Sequence, residues 1–180
     1  MPAAAYQTGV IELRLGTVAQ LFHTLDPAPF RQGDLSNEAE TYIVDTAQEL
    51  PAKAPLGIIL HLPPEERAKA LAADVPAAIR GFFRERARSE AVAKRQLFLD
   101  GRTALAIGLM ILAACLFLSW RVQEGLLQGA MGRVAQESLV IFGWVAIWRP
   151  AEMFLYDWLP IERRRKLCLK LAEAEVTVVS

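Results

Sequence analysis

Two histidines, two cysteines and a scatter of aspartates are the residues of this chain that could do chemistry, and their spacing gathers none of them. His61 falls in an apolar run that reads as a strand, and His23 in a short helix. Neither has a partner at metal-ligand spacing, and no Ser/His/Asp or Cys/His order stands out. Cys115 lies inside an apolar run and Cys168 in a basic stretch, at a spacing that is no zinc signature. They read as a small apolar filler and a reduced cytosolic thiol. Asp26, Asp34 and Asp45 form no acidic metal motif and read as turn and cap residues. No phosphate loop or dinucleotide glycine pattern occurs. The chain is therefore expected to carry no catalytic residue, no cofactor and no metal, and to be no enzyme. An enzyme would need, at the least, a pocket collecting His23, Asp26 and His61.

The most distinctive segment runs from Gly143 to Trp158, GWVAIWRPAEMFLYDW. Pro150 leaves one carbonyl without its helical donor. Arg149 is placed to satisfy that carbonyl or to reach a lipid phosphate. Glu152 is placed to pair with Arg149, and Asp157 with the arginines that follow it. Trp144, Trp148, Arg149, Glu152, Tyr156, Asp157 and Trp158 are thus the candidate site, read as a surface for a partner or a lipid headgroup. The competing reading is an interfacial anchor that sets the angle between a membrane helix and a surface helix. The pattern GW-x3-WRP-x-E-x2-LYDW resembles that of a family of small, uncharacterised bacterial integral-membrane proteins. The Asp26-Pro27-x-Pro29-Phe30 turn and the Tyr42-Ile43 helix are similar to that family's N-terminal part. The resemblance covers most of the chain. It implies a membrane protein with a small cytosolic domain, and it transfers no activity and no catalytic residue.

The elements that must position this segment are apolar. Thr103 to Trp120 is eighteen residues without a charge, between Arg102 and Arg121. As a helix it is roughly 27 Å long, close to the thickness of a bilayer's hydrocarbon core. The second run, Leu139 to Trp148, has ten residues and reaches spanning length only by recruiting Gly132 to Ser138. Arg133 and Glu137 are then expected to pair near the far interface. Arg80 to Arg102 carries seven basic residues and Arg149 to Lys170 six, whereas the connection between the apolar runs carries Arg121 and Arg133. The positive-inside rule puts both basic flanks in the cytosol and predicts a two-helix transmembrane hairpin. Ala104 and Gly108, at small-x-x-x-small spacing, are expected to pack on the second arm. The N-terminus lacks the basic start and apolar stretch of a signal peptide, so the first domain is expected to stay cytosolic.

Around the hairpin the chain reads as a small domain. Val10 to Leu15 alternates as a half-buried strand does. Thr17 caps a short helix over 18–25, and Asp26 to Phe30 is a rigid turn that plugs Phe30 into the core. Ser36 caps a helix with Ala39, Ile43, Ala47 and Leu50 on one stripe. Leu56 to Leu62 is a buried strand, Pro64 starts a helix that ends near Asp74, and Pro76 starts another. That helix carries an i,i+4 pair, Glu90 and Lys94, and is expected to bend or break near Gly101. Arg149-Pro150 is expected to kink the chain, and Pro160 to end the segment after it. A short helix then leads to a strand over 175–179.

The chain has 180 residues, 53% hydrophobic and 22% charged, with 20 basic residues against 20 acidic. That balance gives no case for nucleic acid. The expected fold class is α+β. A small cytosolic domain with a sheet of about three strands, helices on one face, joins a two-helix transmembrane hairpin. The expected domains are 1–100, 101–149 and 150–180, the last completing the cytosolic domain. The expected place is the bacterial inner membrane, with both termini cytoplasmic. Its expected partners are the lipid bilayer and a protein, another or itself. The expected role is binding or scaffolding at the cytoplasmic face; the alternative is a homo-oligomer whose hairpins form a solute or ion pathway.

Overall fold

A computed structural model describes residues 9–22, 35–51, 54–126 and 129–180. The chain is mostly helical and divides into two compact units, Met1–Glu90 with Arg163–Ser180, and Ala91–Glu162. The Asp26–Phe30 turn, His23 and Asp34 lie outside the described residues.

The first unit is built on three short strands, β1 (Val10–Arg14), β2 (Gly57–His61) and β3 (Glu175–Val179). They form one sheet in the order β1-β2-β3, and both pairings are parallel. Alternation in each strand decides which face is buried. Ile11, Leu13, Ile58, Leu60, Val176 and Val178 all face the core. Helices cover them: α1 (Asn37–Glu49), α2 (Pro64–Ala72), and ends of α3 (Val75–Arg121) and α5 (Trp158–Ala172). The α1 stripe buries Ala39, Ile43, Val44 and Ala47, and α3 contributes Val75, Ile79, Phe83 and Ala87.

Local chemistry sets the helix starts. The Ser36 hydroxyl accepts from the Ala39 N–H at 3.3 Å, satisfying one of the donors a helix start leaves free. Pro64, whose missing N–H costs nothing there, stands at the first turn of α2. Asp74, with a left-handed φ of 50°, turns the chain from α2 into α3, and its carboxylate accepts from Ala77 N–H at 3.3 Å. The helix expected over 18–25 is shorter, a four-residue 3-10 turn at Val18–Leu21. Phe22 then bridges to Leu35 in antiparallel fashion.

The second unit is a pair of helices, the later part of α3 and α4 (Ala130–Glu152), joined through a π turn at Val122–Leu126. They run antiparallel: a side chain at Gly108 would face Ala146, one at Gly143 would face Leu112 and Cys115, and one at Gly101 would face Phe154. The buried seam repeats every seven residues along α3, at Gly101, Gly108 and Cys115, and on to Val122 in the π turn, with Ser119 between. Across it lie Gly132, Gly143 and Pro150.

Two expected interruptions are absent, at Gly101 and Pro160, and Pro150 is held within a helix. α3 passes Gly101 without a break, because that glycine makes room for the Phe154 ring. Pro150 sits inside α4 without ending it, and a π turn, Met153–Asp157, follows it. Pro160 does not end the segment; it is the third residue of α5, where a missing N–H is tolerated. Arg133 and Glu137 make no ion pair among the described residues.

The outside of this unit is apolar. Ile107, Met110, Phe117, Ile141, Phe142 and Val145 are all exposed. Two helices of the chain, Val75–Glu124 and Ala130–Ala172 when the π turns are included, are long and apolar enough to cross a membrane.

Candidate functional site

The residues around Pro150 form one cluster within the second unit. Proline has no N–H, so the carbonyl four residues back, on Ala146, lacks its α-helical donor. The carbonyl faces Gly108, where a β-carbon would lie 2.8 Å from its oxygen. A glycine there lets the two backbones approach closely and leaves its Cα hydrogens facing the acceptor, a weak but recurrent contact between helices. Arg149, expected to serve this carbonyl or a lipid phosphate, turns elsewhere. It pairs with Glu152 at 3.4 Å and with Asp157 at 3.2 Å. Asp157 thus pairs backward along the chain, rather than with the arginines after it.

This arrangement braces the π turn. Arg149 lies before Met153–Asp157 and Asp157 at its end, so one guanidinium spans the irregular turn. Trp148 Nε1 donates to Glu152 Oε1 at 2.9 Å. Two carboxylates and one guanidinium leave the cluster with one net negative charge, and Arg149 is neutralised inside it. An incoming anion would have to displace a carboxylate.

A second knot holds the charged end of the unit. Lys94 pairs with Glu162 at 3.0 Å and lies 5.1 Å from the centre of the Trp158 ring. Trp158 Nε1 donates to the Phe154 carbonyl at 3.1 Å. The Phe98 and Phe154 rings lie 5.8 Å apart. The expected pairing of Lys94 with Glu90 gives way to this, and Glu90 instead meets Arg164 at 3.3 Å. Of the seven candidate residues, Trp148, Arg149, Glu152 and Asp157 come together, and Trp158 belongs to the Lys94 knot. Trp144 and Tyr156 are 65% and 63% exposed, and their side chains join no hydrogen bond among the described residues. Lys94, Phe98 and Glu162 were not expected in the site, and no local spacing signals them; only the helix register does.

The first unit has its own polar network. Glu40 on α1 lies 3.0 Å from Arg86 on α3 and 3.7 Å from Arg164 on α5. Arg164 also meets Glu90 at 3.3 Å. These charges clamp three helices over the core beside Cys168, which is 1% exposed. Burial pushes the Cys168 thiol up from its ordinary value, and Glu90 adds to the rise. Glu66 on α2 accepts from Lys69 at 2.6 Å and from the Val18 N–H at 2.9 Å. Both hold its carboxyl below the ordinary value, Lys69 the more strongly. His61 lies 3.7 Å from Glu12 on the open side of the sheet. Among the described residues, no three His, Cys, Asp or Glu side chains gather as a metal ion requires. Comparison with family models, curated proteins and solved structures finds no match for the chain.

Proposed function

We propose that this chain is a membrane-anchored binding protein of the bacterial inner membrane. Ala91–Glu162 is its two-helix transmembrane hairpin, and the remaining unit is a cytosolic module that binds or scaffolds a partner at the cytoplasmic face. One observation carries the reading: the burial of the helix pair is inverted. A helix pair in water buries its large apolar side chains and exposes polar ones. Here the seam holds Gly101, Gly108, Cys115, Ser119 and Gly143, while Ile107, Met110, Phe117, Phe142 and Trp144 face outward. Only 17% and 11% of the two apolar stretches are buried, unlike core helices of a soluble domain. In lipid this pattern is favourable, because acyl chains solvate the large groups and small residues let helices pack.

Charge supports the orientation. The run Thr103–Trp120 ends at Arg102 on one side and Arg121 on the other. Lys94, Arg95, Arg102 and Arg149 lie toward one end of the hairpin, and basic flanks favour the cytosol. The chain enters at Ala91 and leaves at Glu162, and Lys94 pairs with Glu162 at that end. The exposed Trp148 and Tyr156 suit the headgroup layer there. The Trp148-Arg149-Pro150 cluster then acts as an interfacial brace, with its charges satisfied internally.

Membrane-impermeant maleimide on intact cells tests the topology. Met131→Cys should label from outside, and Ser180→Cys only after lysis. Labelling of Ser180→Cys in intact cells would sink the hairpin.

A further inference from the structure

A parallel sheet is normally covered on both faces. Among the described residues, this one is covered on one. The corners and centre of its open face are their own complement, and Glu12 and His61 beside the centre pair with each other at 3.7 Å. The register puts Val10, Ile59 and Val179 along one diagonal and Arg14 and Glu175 at the two ends of the other. The three apolar residues are half-buried, and Arg14 and Glu175 are exposed.

We propose that the open face of this sheet docks on the same face of a second copy of the chain. The twofold axis lies along the Val10–Ile59–Val179 diagonal. Such an axis is isologous: each residue on it meets its own counterpart. Val10, Ile59 and Val179 therefore stack on themselves, apolar on apolar. The same rotation carries Arg14 of one copy over Glu175 of the other, and Glu175 over Arg14, so the charged corners pair twice. With strands about 4.8 Å apart, residues rising about 3.3 Å and sheets about 10 Å apart, the paired corners are about 11 Å apart between Cα atoms. The combined reach of an arginine and a glutamate covers that distance. The strands of the two sheets cross at about 70°, near the orthogonal class of sheet packing. A partner of uniform charge would meet one corner well and be repelled by the other; a second copy meets both.

Three strands of five residues make a small face, below the roughly 800 Å² per partner of a stable interface. The pairing therefore forms where chains are held side by side at high effective concentration. It rests on the membrane-anchored reading for that concentration, and it names the partner as self.

The test uses the full-length chain in liposomes and a carbodiimide. That reagent joins a lysine amine to a carboxylate as an amide without a spacer, and the water lost converts the carbodiimide to its urea. Within one chain, residues 14 and 175 are about 16 Å apart, too far for such a bond. Arg14→Lys should give a covalent dimer of twice the 19.9 kDa chain mass. Adding Glu175→Gln should abolish the extra band, and the swap Arg14→Glu with Glu175→Lys should restore it. Ile59→Arg should remove it, because on the axis each arginine meets its own counterpart, while within its chain it stands in register with Glu12 and keeps the sheet paired. No Arg14→Lys dimer, or a dimer indifferent to Glu175→Gln, overturns the proposal. Failure here with Ser180 still protected in cells refutes the self-docking and leaves the anchor standing. A dimer with Ser180 labelled from outside refutes the anchor instead.

Discussion

Gly108→Ala places a methyl 2.8 Å from the Ala146 oxygen and 3.4 Å from its carbonyl carbon. Carbon and oxygen rest at about 3.3–3.6 Å in such contacts, so the helices must part by about 0.5–0.8 Å. Neither atom can swing away, because the oxygen belongs to the backbone of α4. Overpacking of this kind costs about 1–3 kcal/mol. Loss of the Cα–H···O contact adds about 0.5–1 kcal/mol. Gly143→Ala looks similar on distance alone, with its methyl 2.7 Å from Leu112 Cδ1. That neighbour is the tip of a rotatable side chain, so the cost should stay below about 1.5 kcal/mol. Unfolding of the full chain in mixed micelles, titrated with a denaturing detergent and followed by helical dichroism, measures both. Gly108→Ala should lose more stability than Gly143→Ala. Equal losses, or the reverse order, would refute the idea that a carbonyl stripped of its donor by Pro150 fixes the helix spacing.

Other perturbations reach other parts of the molecule. Glu66 titrates below its ordinary value of 4.5 in the folded state, so its contribution is complete above that pH and fades as pH falls through the folded value. Glu66→Gln should therefore flatten the melting temperature below about pH 4.5; a slope identical to wild type would be the contrary result. Cys168, buried with a raised thiol, should resist iodoacetamide at pH 8 until denaturant is added, as read by mass spectrometry. Alkylation at the rate of a free thiol in the native state would contradict its burial. Arg149→Ala removes both ion pairs across the π turn. Because Arg149 is 66% exposed, the global loss should stay within about 1 kcal/mol, while amide exchange across Met153–Asp157 should rise.

The fold was legible wherever one residue dictates a backbone state on its own. Val10 to Leu15 alternates, and β1 lies within it. Ser36 has an acceptor and Pro64 a fixed φ, and helices begin beside both. One proline misled because position outweighs identity: Pro160 reads as a stop but stands in the first turn of α5. The Glu90–Lys94 pairing failed because i,i+4 spacing describes an isolated helix, whereas each residue has a closer partner on α5. The parallel order of the strands was not legible, since alternation fixes faces and leaves neighbours open. In the candidate site, Arg149 and Glu152 are three residues apart and could be matched by spacing. Lys94 with Glu162, and Gly108 with Ala146, depend on the antiparallel register, which nothing local encodes.

The sheet is finished by a strand that follows the helix pair in the chain. β2 acquires its second neighbour only when β3 exists, and the core lacks Cys168, Leu171, Val176 and Val178 until then. During synthesis, one edge of β2 waits with open hydrogen-bonding groups while all of Ala91–Glu162 is produced. Such an edge is what chaperones and proteases engage. A chain that stalls in the hairpin, or whose second arm fails to return, keeps that edge open and stays a substrate for disposal. Closing the sheet thus depends on synthesis of the whole helix pair, which separates β2 from β3 in the chain.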